Sequence, residues 1–265
     1  MKKTNNDIQK DICEEYLKGI GNKELSEKYN IHRSTVQQIL KRNNVELRKQ
    51  FETSRKYNIL NFKGDIISNN DAYILGLIWA DGNLSRNCIE ISLQQTDEQI
   101  LEDISNYIYG EKVFSYRDSQ ISIFKNKEYM SKPQTRFRIT SKEVSNKLRK
   151  IGLIENKTLI CRFPKINSEY IPHFLRGLLD GDGSIYIKNK KNCRVDIVSN
   201  PEMCQDISQI VNETLNINSK VYKKTEKVYT FTISGRLQIL KFLDWIYENS
   251  ELKLNRKYKK YRELL

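Results

Sequence analysis

The sequence has few of the residues from which structural metal sites and disulfides are built. It contains two histidines, and its five cysteines include no pair with CxxC spacing. A zinc site is therefore not expected. Because an odd number of cysteines cannot all pair with one another, we expect free thiols in a reducing compartment.

Long apolar segments are also missing. No apolar stretch approaches the roughly 20 residues that a membrane-spanning helix needs. The first residues, Met-Lys-Lys-Thr-Asn-Asn, precede no apolar run, so we expect no signal peptide. The sequence therefore predicts no membrane partner.

Positive charge is abundant and widely distributed. The net charge is +13, with 11 basic against 7 acidic residues in residues 1–50 and 32 against 24 in residues 71–265. A basic excess over the whole chain suits a long polyanion better than a single acidic pocket. At 265 residues the chain can hold one large domain or two to three small ones.

Residues 1–48 are predicted to form a small all-α helix-turn-helix domain. Breaks at Gly19-Ile20-Gly21 and Asn30-Ile31-His32 separate three amphipathic segments, and we expect Asn22 to cap the second helix. The third helix, from Arg33 to about Asn43, would direct polar side chains towards base edges and phosphates. These candidate DNA-binding residues are Arg33, Ser34, Thr35, Gln37, Gln38, Lys41 and Arg42. The alternative is a three-helix packing unit with a polar surface.

Two short apolar runs share one pattern. Residues 74–82 read ILGLIWADG and residues 175–183 read LRGLLDGDG. Each run places small residues four apart on one helical face, which lets two backbones approach closely. Each then ends in Asp-Gly, as helix C-termini often do. If the helices cross on those faces, Asp81 and Asp182 meet, and the combined negative charge favours a shared divalent cation.

The segments around these runs repeat as well. After a basic linker over residues 49–69, the order helix-strand-strand-helix-strand-strand-helix is predicted in residues 70–160 and again in residues 161–265. Asn70 or Asp71 is expected to cap the first helix. The strands alternate apolar with polar residues, so helices should cover one face of each sheet. Candidate DNA contacts on the polar faces are Gln94, Arg136, Arg138, Tyr186, Lys188 and Arg194.

The two runs resemble the paired signature helices of LAGLIDADG homing endonucleases, in the form that carries both copies on one polypeptide. The resemblance implies an α+β fold, in which a pseudo-twofold pair of αββαββα halves forms a DNA-binding saddle. It implies a monomer that cuts both strands of a specific double-stranded DNA target, with Mg²⁺ or Mn²⁺ held by Asp81 and Asp182. It further implies a mobile genetic element with intron homing, in the cytoplasm of a bacterial or phage-infected cell, or in an organelle.

The resemblance also implies a basic residue near each metal. Lys157 lies 76 residues after Asp81, and Lys257 lies 75 residues after Asp182. Both are candidates for stabilising phosphorane charge or orienting water, with an ordinary surface lysine as the alternative. Gln94 is a weaker candidate for ordering solvent, as is Arg194.

The first run departs from the family pattern at Trp79, a position that is often acidic. Trp79 is expected to pack, whereas Asp180 at the same place in the second run is expected to cap a helix or face DNA. The sequence does not specify a backbone metal ligand at Ala80.

Two other functions are open: a non-catalytic DNA-binding regulator on the same fold, and an RNA maturase that helps an intron to fold. Retention of both aspartates argues against the regulator. The helix-turn-helix favours duplex DNA, since the grooves of A-form RNA do not admit a recognition helix.

Overall fold

The computed structural model describes residues 6–47, 57–124, 127–155, 157, 160–189 and 192–265. Contacts divide the chain into unit 1, residues 1–58, and unit 2, residues 59–265. In the part of the chain that the structure describes, no helix combines the length and the apolar character that crossing a bilayer requires.

Unit 1 contains the three predicted helices, which are α1 Asn6–Leu17, α2 Asn22–Lys28 and α3 Arg33–Arg42. They enclose a small core in which Ile12, Leu25 and Val36 are completely buried. The His32 side chain caps α3 by accepting a bond from the backbone N–H of Ser34. The expected cap of α2 was wrong: Gly21 is the N-cap residue and makes no side-chain bond, so Asn22 is already helical.

Unit 2 contains both apolar runs and is built from helices and antiparallel strands. Its helices are α4 Asn69–Asp81, α5 Glu98–Tyr109, α6 Lys142–Lys150, α7 Ile171–Asp182, α8 Pro201–Leu215, α9 Arg236–Tyr247 and α10 Asn255–Leu264. Short 3-10 turns at Gln95–Asp97 and Ser168–Tyr170 precede α5 and α7.

Ten strands are described in unit 2. They are β1 Gly82–Ser85, β2 Cys88–Gln94, β3 Ser115–Arg117, β4 Ile121–Phe124, β5 Lys127–Met130, β6 Gln134–Thr140, β7 Gly183–Ile187, β8 Cys193–Ser199, β9 Lys220–Lys223 and β10 Tyr229–Ser234. One sheet has the order β1-β2-β6-β3 and the other β7-β8-β10-β9, so the same topology occurs twice. The α+β fold of two related halves is therefore confirmed.

Each sheet buries one face and leaves the other polar. In the first sheet Ile91 of β2 lies opposite Phe137 of β6, and in the second Ile197 of β8 lies opposite Phe231 of β10. All four side chains are completely buried. Because side chains alternate along a strand, the residues between them lie on the opposite face.

The helices α4 and α7 cross with their backbones in contact. A Cβ added at Gly76 would lie 2.0 Å from the backbone oxygen of Phe174, and one at Gly177 would lie 2.1 Å from that of Tyr73. Only glycine fits at either position. The expected contact between the two small-residue faces is thus present.

Three local features differ from the expectation. Ser68, rather than Asn70 or Asp71, caps α4, and its hydroxyl accepts a bond from the N–H of Asp71. The hairpin β4–β5 lies between β3 and β6 of the first half, and α10 follows α9 at the end of the second half.

Candidate functional site

Asp81 and Asp182 are the last residues of α4 and α7, beyond the glycine crossing. A Cβ on Gly181 would lie 2.2 Å from the Ala80 Cβ and 2.9 Å from Oδ2 of Asp81. On the other side, Asp182 lines a cavity of about 170 Å³ together with Ala80 and Lys157. Each aspartate therefore lies beside the end of the opposite helix, and the crossing brings the two acids to one place.

The electrostatics of the two carboxylates agree with this proximity. Both side chains reach solvent, yet surrounding protein partly desolvates them. Desolvation, together with the nearby charge of Asp81, raises the pKa of Asp182 to about 6. Desolvation also raises the pKa of Asp81, against the opposing effect of Lys157 and Lys257. The ionised pair is a region of unfavourable negative charge that a cation would relieve.

The donor set suits a hard divalent cation. Across the described residues, neither Asp81 nor Asp182 forms a hydrogen bond or an ion pair, so all their oxygens are available. No cluster of three acidic, histidine or cysteine residues is found in that same part of the chain. Mg²⁺ is commonly bound by one or two carboxylates together with water and substrate phosphates. Asp81 and Asp182 are the residues that would hold such an ion.

Lys157 and Lys257 are both buried, and both reach the ends of the crossed helices. The Lys157 ammonium donates to the carbonyls of Trp79 and Ala80 at 2.6 and 2.7 Å. The Lys257 ammonium donates to the carbonyls of Leu179, Asp180 and Gly183 at 2.6, 2.7 and 2.7 Å. These bonds satisfy carbonyls that a helix C-terminus leaves free.

The lysine contacts limit what these residues can do in the observed arrangement. An ammonium group has three N–H donors, and Lys257 uses all of them on backbone carbonyls. Burial lowers the pKa of Lys257 to about 8 and also lowers the pKa of Lys157. The structure places both lysines at the ends of the helices that carry the aspartates, and a direct phosphate contact stays a prediction.

Trp79 and Asp180, which occupy matching positions, have different surroundings. The Trp79 ring packs edge-on against Phe174, and its indole N–H donates to the carbonyl of Arg162. Asp180 is buried and accepts bonds from Tyr73 and from the backbone of Leu254. Packing is thus confirmed for Trp79. Of the two alternatives for Asp180, the helix cap is observed, because its carboxylate accepts the N–H of Leu254, the N-cap residue of α10. The DNA-facing alternative is not, since the carboxylate points into the protein.

The predicted basic residues on the first sheet are largely paired. Arg136 binds both carboxylate oxygens of Glu90 through Nη2, at 2.7 and 2.8 Å, and Arg138 binds Glu90 through Nε at 2.5 Å. Glu90 thereby neutralises part of the positive charge of this face. Gln94, on the same strand as Glu90, is exposed.

The second sheet shows the same arrangement with different residues. Arg194 donates to Asp196 at 2.7 Å and lies opposite Tyr186 on the neighbouring strand. Tyr186 and Lys188 are exposed. Exposed and paired polar groups together form a face that can contact a polyanion, although less positively charged than the arginines alone suggest.

In unit 1, α3 presents the predicted polar face. Arg33, Ser34, Gln37, Gln38, Lys41 and Arg42 are exposed, and Thr35 is half-buried. Val36, Ile39 and Leu40 are buried on the other side of the helix. The Ser34 hydroxyl is also within 2.8 Å of His32 Nδ1, so this residue takes part in the helix cap.

Sequence reasoning missed several polar partners at these sites. Glu90 and Asp196 were not recognised as partners of the arginines. Asp196 lies two residues from Arg194 on β8, so alternation along the strand would have revealed it, whereas Glu90 faces its arginines only through strand register. Arg256 of α10 was also missed; it forms an ion pair with Asp97 at 3.0 Å, and both charges act on the pKa of Asp81. No local pattern marks that pair, because its members are 159 residues apart.

A family model described as a LAGLIDADG-like domain matches residues 169–247, from the turn before α7 to the end of α9. This segment is therefore a LAGLIDADG-like domain, and the resemblance inferred from the two runs is confirmed. The crossed helices and the duplicated sheet topology extend the same architecture over unit 2. A comparison with curated proteins finds no match.

Solved structures with a similar backbone include full-length DUF199/WhiA from Thermatoga maritima, at 21% identity and a TM-score of 0.44. The match covers 76% of this chain and 63% of that protein, so the chain spans less than two thirds of its length. The LAGLIDADG homing endonuclease I-LtrWI bound to target DNA matches at 15% identity and a TM-score of 0.46, covering 77% of this chain and 90% of that one. The LAGLIDADG homing endonuclease I-GzeII in complex with its DNA target matches at 13% identity and a TM-score of 0.46, covering 75% of this chain and 89% of that one.

Proposed function

We propose that this protein is a site-specific endonuclease that hydrolyses phosphodiesters in both strands of a DNA duplex. The supporting observation is the pair Asp81 and Asp182, which a backbone-to-backbone helix crossing brings together and which form no hydrogen bond or ion pair with any described residue. Under this proposal the chain acts as a monomer, because one polypeptide supplies both halves of the site. A homing enzyme of an intron or another mobile element, working in the cytoplasm, is the corresponding biological role.

The site residues have distinct roles in this proposal. Asp81 and Asp182 would hold Mg²⁺ or Mn²⁺. When bound, such an ion polarises the scissile phosphate and lowers the pKa of a water molecule. Lys157 and Lys257 hold the helix ends that position the aspartates, and their positive charges favour the approach of a phosphate.

Binding to DNA would use two separate surfaces. The polar faces of the two sheets offer Gln94, Arg136 and Arg138 in one half and Tyr186, Lys188 and Arg194 in the other. The exposed face of α3 has the side-chain chemistry of a recognition helix that enters the major groove. Together these surfaces would read a longer target than either could alone.

A DNA-binding regulator without nuclease activity is the second candidate. It is favoured by Lys257, whose ammonium has no N–H left for a phosphate in the observed structure. The carboxylates Asp81 and Asp182, which have no partner among the described residues, favour the nuclease, since a protein that only binds DNA has no use for two adjacent acids of this kind.

Incubation of the full chain with a randomised duplex DNA library and Mg²⁺ tests the proposal. We expect a defined cut site, which then serves as substrate for Asp81→Asn and Asp182→Asn. Both variants should bind the selected DNA in EDTA as the wild type does and should not cut it when Mg²⁺ is added. Binding without cleavage by the wild type would support the regulator, and cleavage that survives both substitutions would remove the metal assignment.

A further inference from the structure

Asp180 joins three segments of unit 2. Its side chain is 3% exposed, and Oδ2 accepts bonds from the Tyr73 hydroxyl at 2.9 Å and the Leu254 N–H at 2.7 Å. Leu254 is the N-cap residue of α10 and has no side-chain cap of its own. The Asp180 carboxylate therefore lies at the N-terminus of α10, where a negative charge and a bond to the N-cap N–H are both favourable.

Lys257 makes the complementary contact in the opposite direction. It lies in the first turn of α10, and its ammonium bonds the carbonyls of Leu179 and Asp180, which belong to the last turn of α7. A cation is favourable at a helix C-terminus. The helices α7 and α10 thus cap each other, and we call the contacts of Asp180 with Leu254 and of Lys257 with α7 the reciprocal clamp.

Arg176 holds the segment that leads into this clamp. Its guanidinium is completely buried and donates to the carbonyls of Ile246 and Leu252 at 2.6 and 2.9 Å. Because Arg176 and Asp180 lie one turn apart on α7, the helix fixes both the start and the end of the segment before α10. The helix α7 therefore helps to set the position of the start of α10.

The first half has a counterpart of the lysine contact but not of the aspartate contact. Lys157 bonds the end of α4, as Lys257 bonds the end of α7. The position that matches Asp180 is Trp79, 101 residues earlier, and its indole donates to a carbonyl rather than accepting a bond. Among the described residues, the reciprocal clamp therefore belongs to the second half alone.

We propose that Asp180 is a positioning residue for the second half of the site. By holding α10 at Leu254, it keeps the Lys257 ammonium on the end of α7 and so fixes the place of Asp182, two residues further along. Loss of Asp180 should disturb the half of the site that contains Asp182 and Lys257 more than the other half. The cleavage test of this inference rests on the proposed function, whereas its hydrogen-exchange test does not.

Hydrogen exchange of the full chain tests the clamp without DNA or metal. Asp180→Asn keeps the side-chain shape but removes the charge, and we expect amides at the start of α10 to exchange at least tenfold faster. Lys257→Met should accelerate exchange at the end of α7 and the start of β7, and it tests the same clamp should Asp180→Asn not fold. Asp71→Asn is the matched control, because Asp71 is a buried aspartate that also accepts two bonds, at the far end of α4.

Cleavage of supercoiled plasmid bearing the selected site provides the second measurement. Asp180→Asn should slow the cutting of one strand at least tenfold more than the other, so nicked circles accumulate. Asp71→Asn should lower stability without changing the ratio of nicked to linear product. Unchanged exchange in α10 would overturn the inference, as would faster exchange spread evenly over unit 2 or equal slowing of both strands. If the wild type cuts no DNA, the proposed function fails, and the exchange data alone decide on the clamp.

Discussion

Removal of the Asp182 charge should stabilise unit 2. Desolvation and the neighbouring Asp81 raise the Asp182 pKa from 3.8 to about 6, which corresponds to roughly 3 kcal/mol at about 1.4 kcal/mol per pH unit. Because the carboxylate reaches solvent, screening reduces the expected effect to about 1 kcal/mol. We therefore expect Asp182→Asn to raise the free energy of unfolding by about 1 kcal/mol at pH 7.5.

The direction of the pKa shift determines how the stability of unit 2 depends on pH. A raised pKa means that the folded state binds the proton more tightly than the unfolded state. The contribution of Asp182 to stability therefore falls as the pH rises from about 4 to about 6, and stays low above that range. Wild type and Asp182→Asn should be equally stable near pH 4, where both side chains are neutral, and should diverge as the pH rises.

Urea unfolding followed by tryptophan fluorescence is the appropriate assay. The two tryptophans of the chain, Trp79 and Trp245, both lie in unit 2, so the signal reports on that unit alone. Asp196→Asn is the control with the opposite sign, because the Asp196 carboxylate accepts bonds from Arg194 and Thr232 and its loss should destabilise. A destabilised Asp182→Asn at pH 7.5, or a gain of equal size at pH 4, would refute the reasoning.

Three further predictions concern the crossing, the metal and the recognition helix. Gly177→Ala should lower the free energy of unfolding of unit 2 by about 3 kcal/mol or more, since the new Cβ would lie 2.1 Å from the backbone oxygen of Tyr73; Gly21→Ala meets open space in unit 1 and should leave the tryptophan transition unchanged. Single-turnover cleavage should fall about tenfold per pH unit below the Asp182 pKa of about 6, because the proton then displaces the metal; a rate that is flat down to pH 5 would contradict this. Lys41→Ala should reduce the slope of log affinity against log salt by about 1 if α3 contacts a phosphate, and an unaltered slope would exclude that contact.

The features that the sequence predicted well are those with a local period. Small residues four apart specified the face on which α4 and α7 cross, because that spacing is a geometric property of the helix. Alternation along β2 and β8 specified which side chains are buried. The duplication itself was visible because both halves kept the same order of elements.

The features that were not predicted depend on distant contacts. The helix α10 is strongly basic, and only Lys257 and Leu264 of it are buried. It therefore has no apolar stripe from which the sequence could have predicted it. The pairing of Arg136 and Arg138 with Glu90 depends on strand register, which single strands do not reveal. Asp180 turned inward because its donors come from Tyr73 and from α10, which the sequence alone did not place nearby.

The glycine crossing has a consequence for how this architecture changes over time. Where the two halves meet at the helix crossing, their spacing is set by main-chain atoms that touch at Gly76 and Gly177. New residues can therefore replace those on the outer faces of either sheet without altering the distance between Asp81 and Asp182. Under the proposed function, the residues that select a DNA target can therefore change in each half independently of the geometry that places the two aspartates.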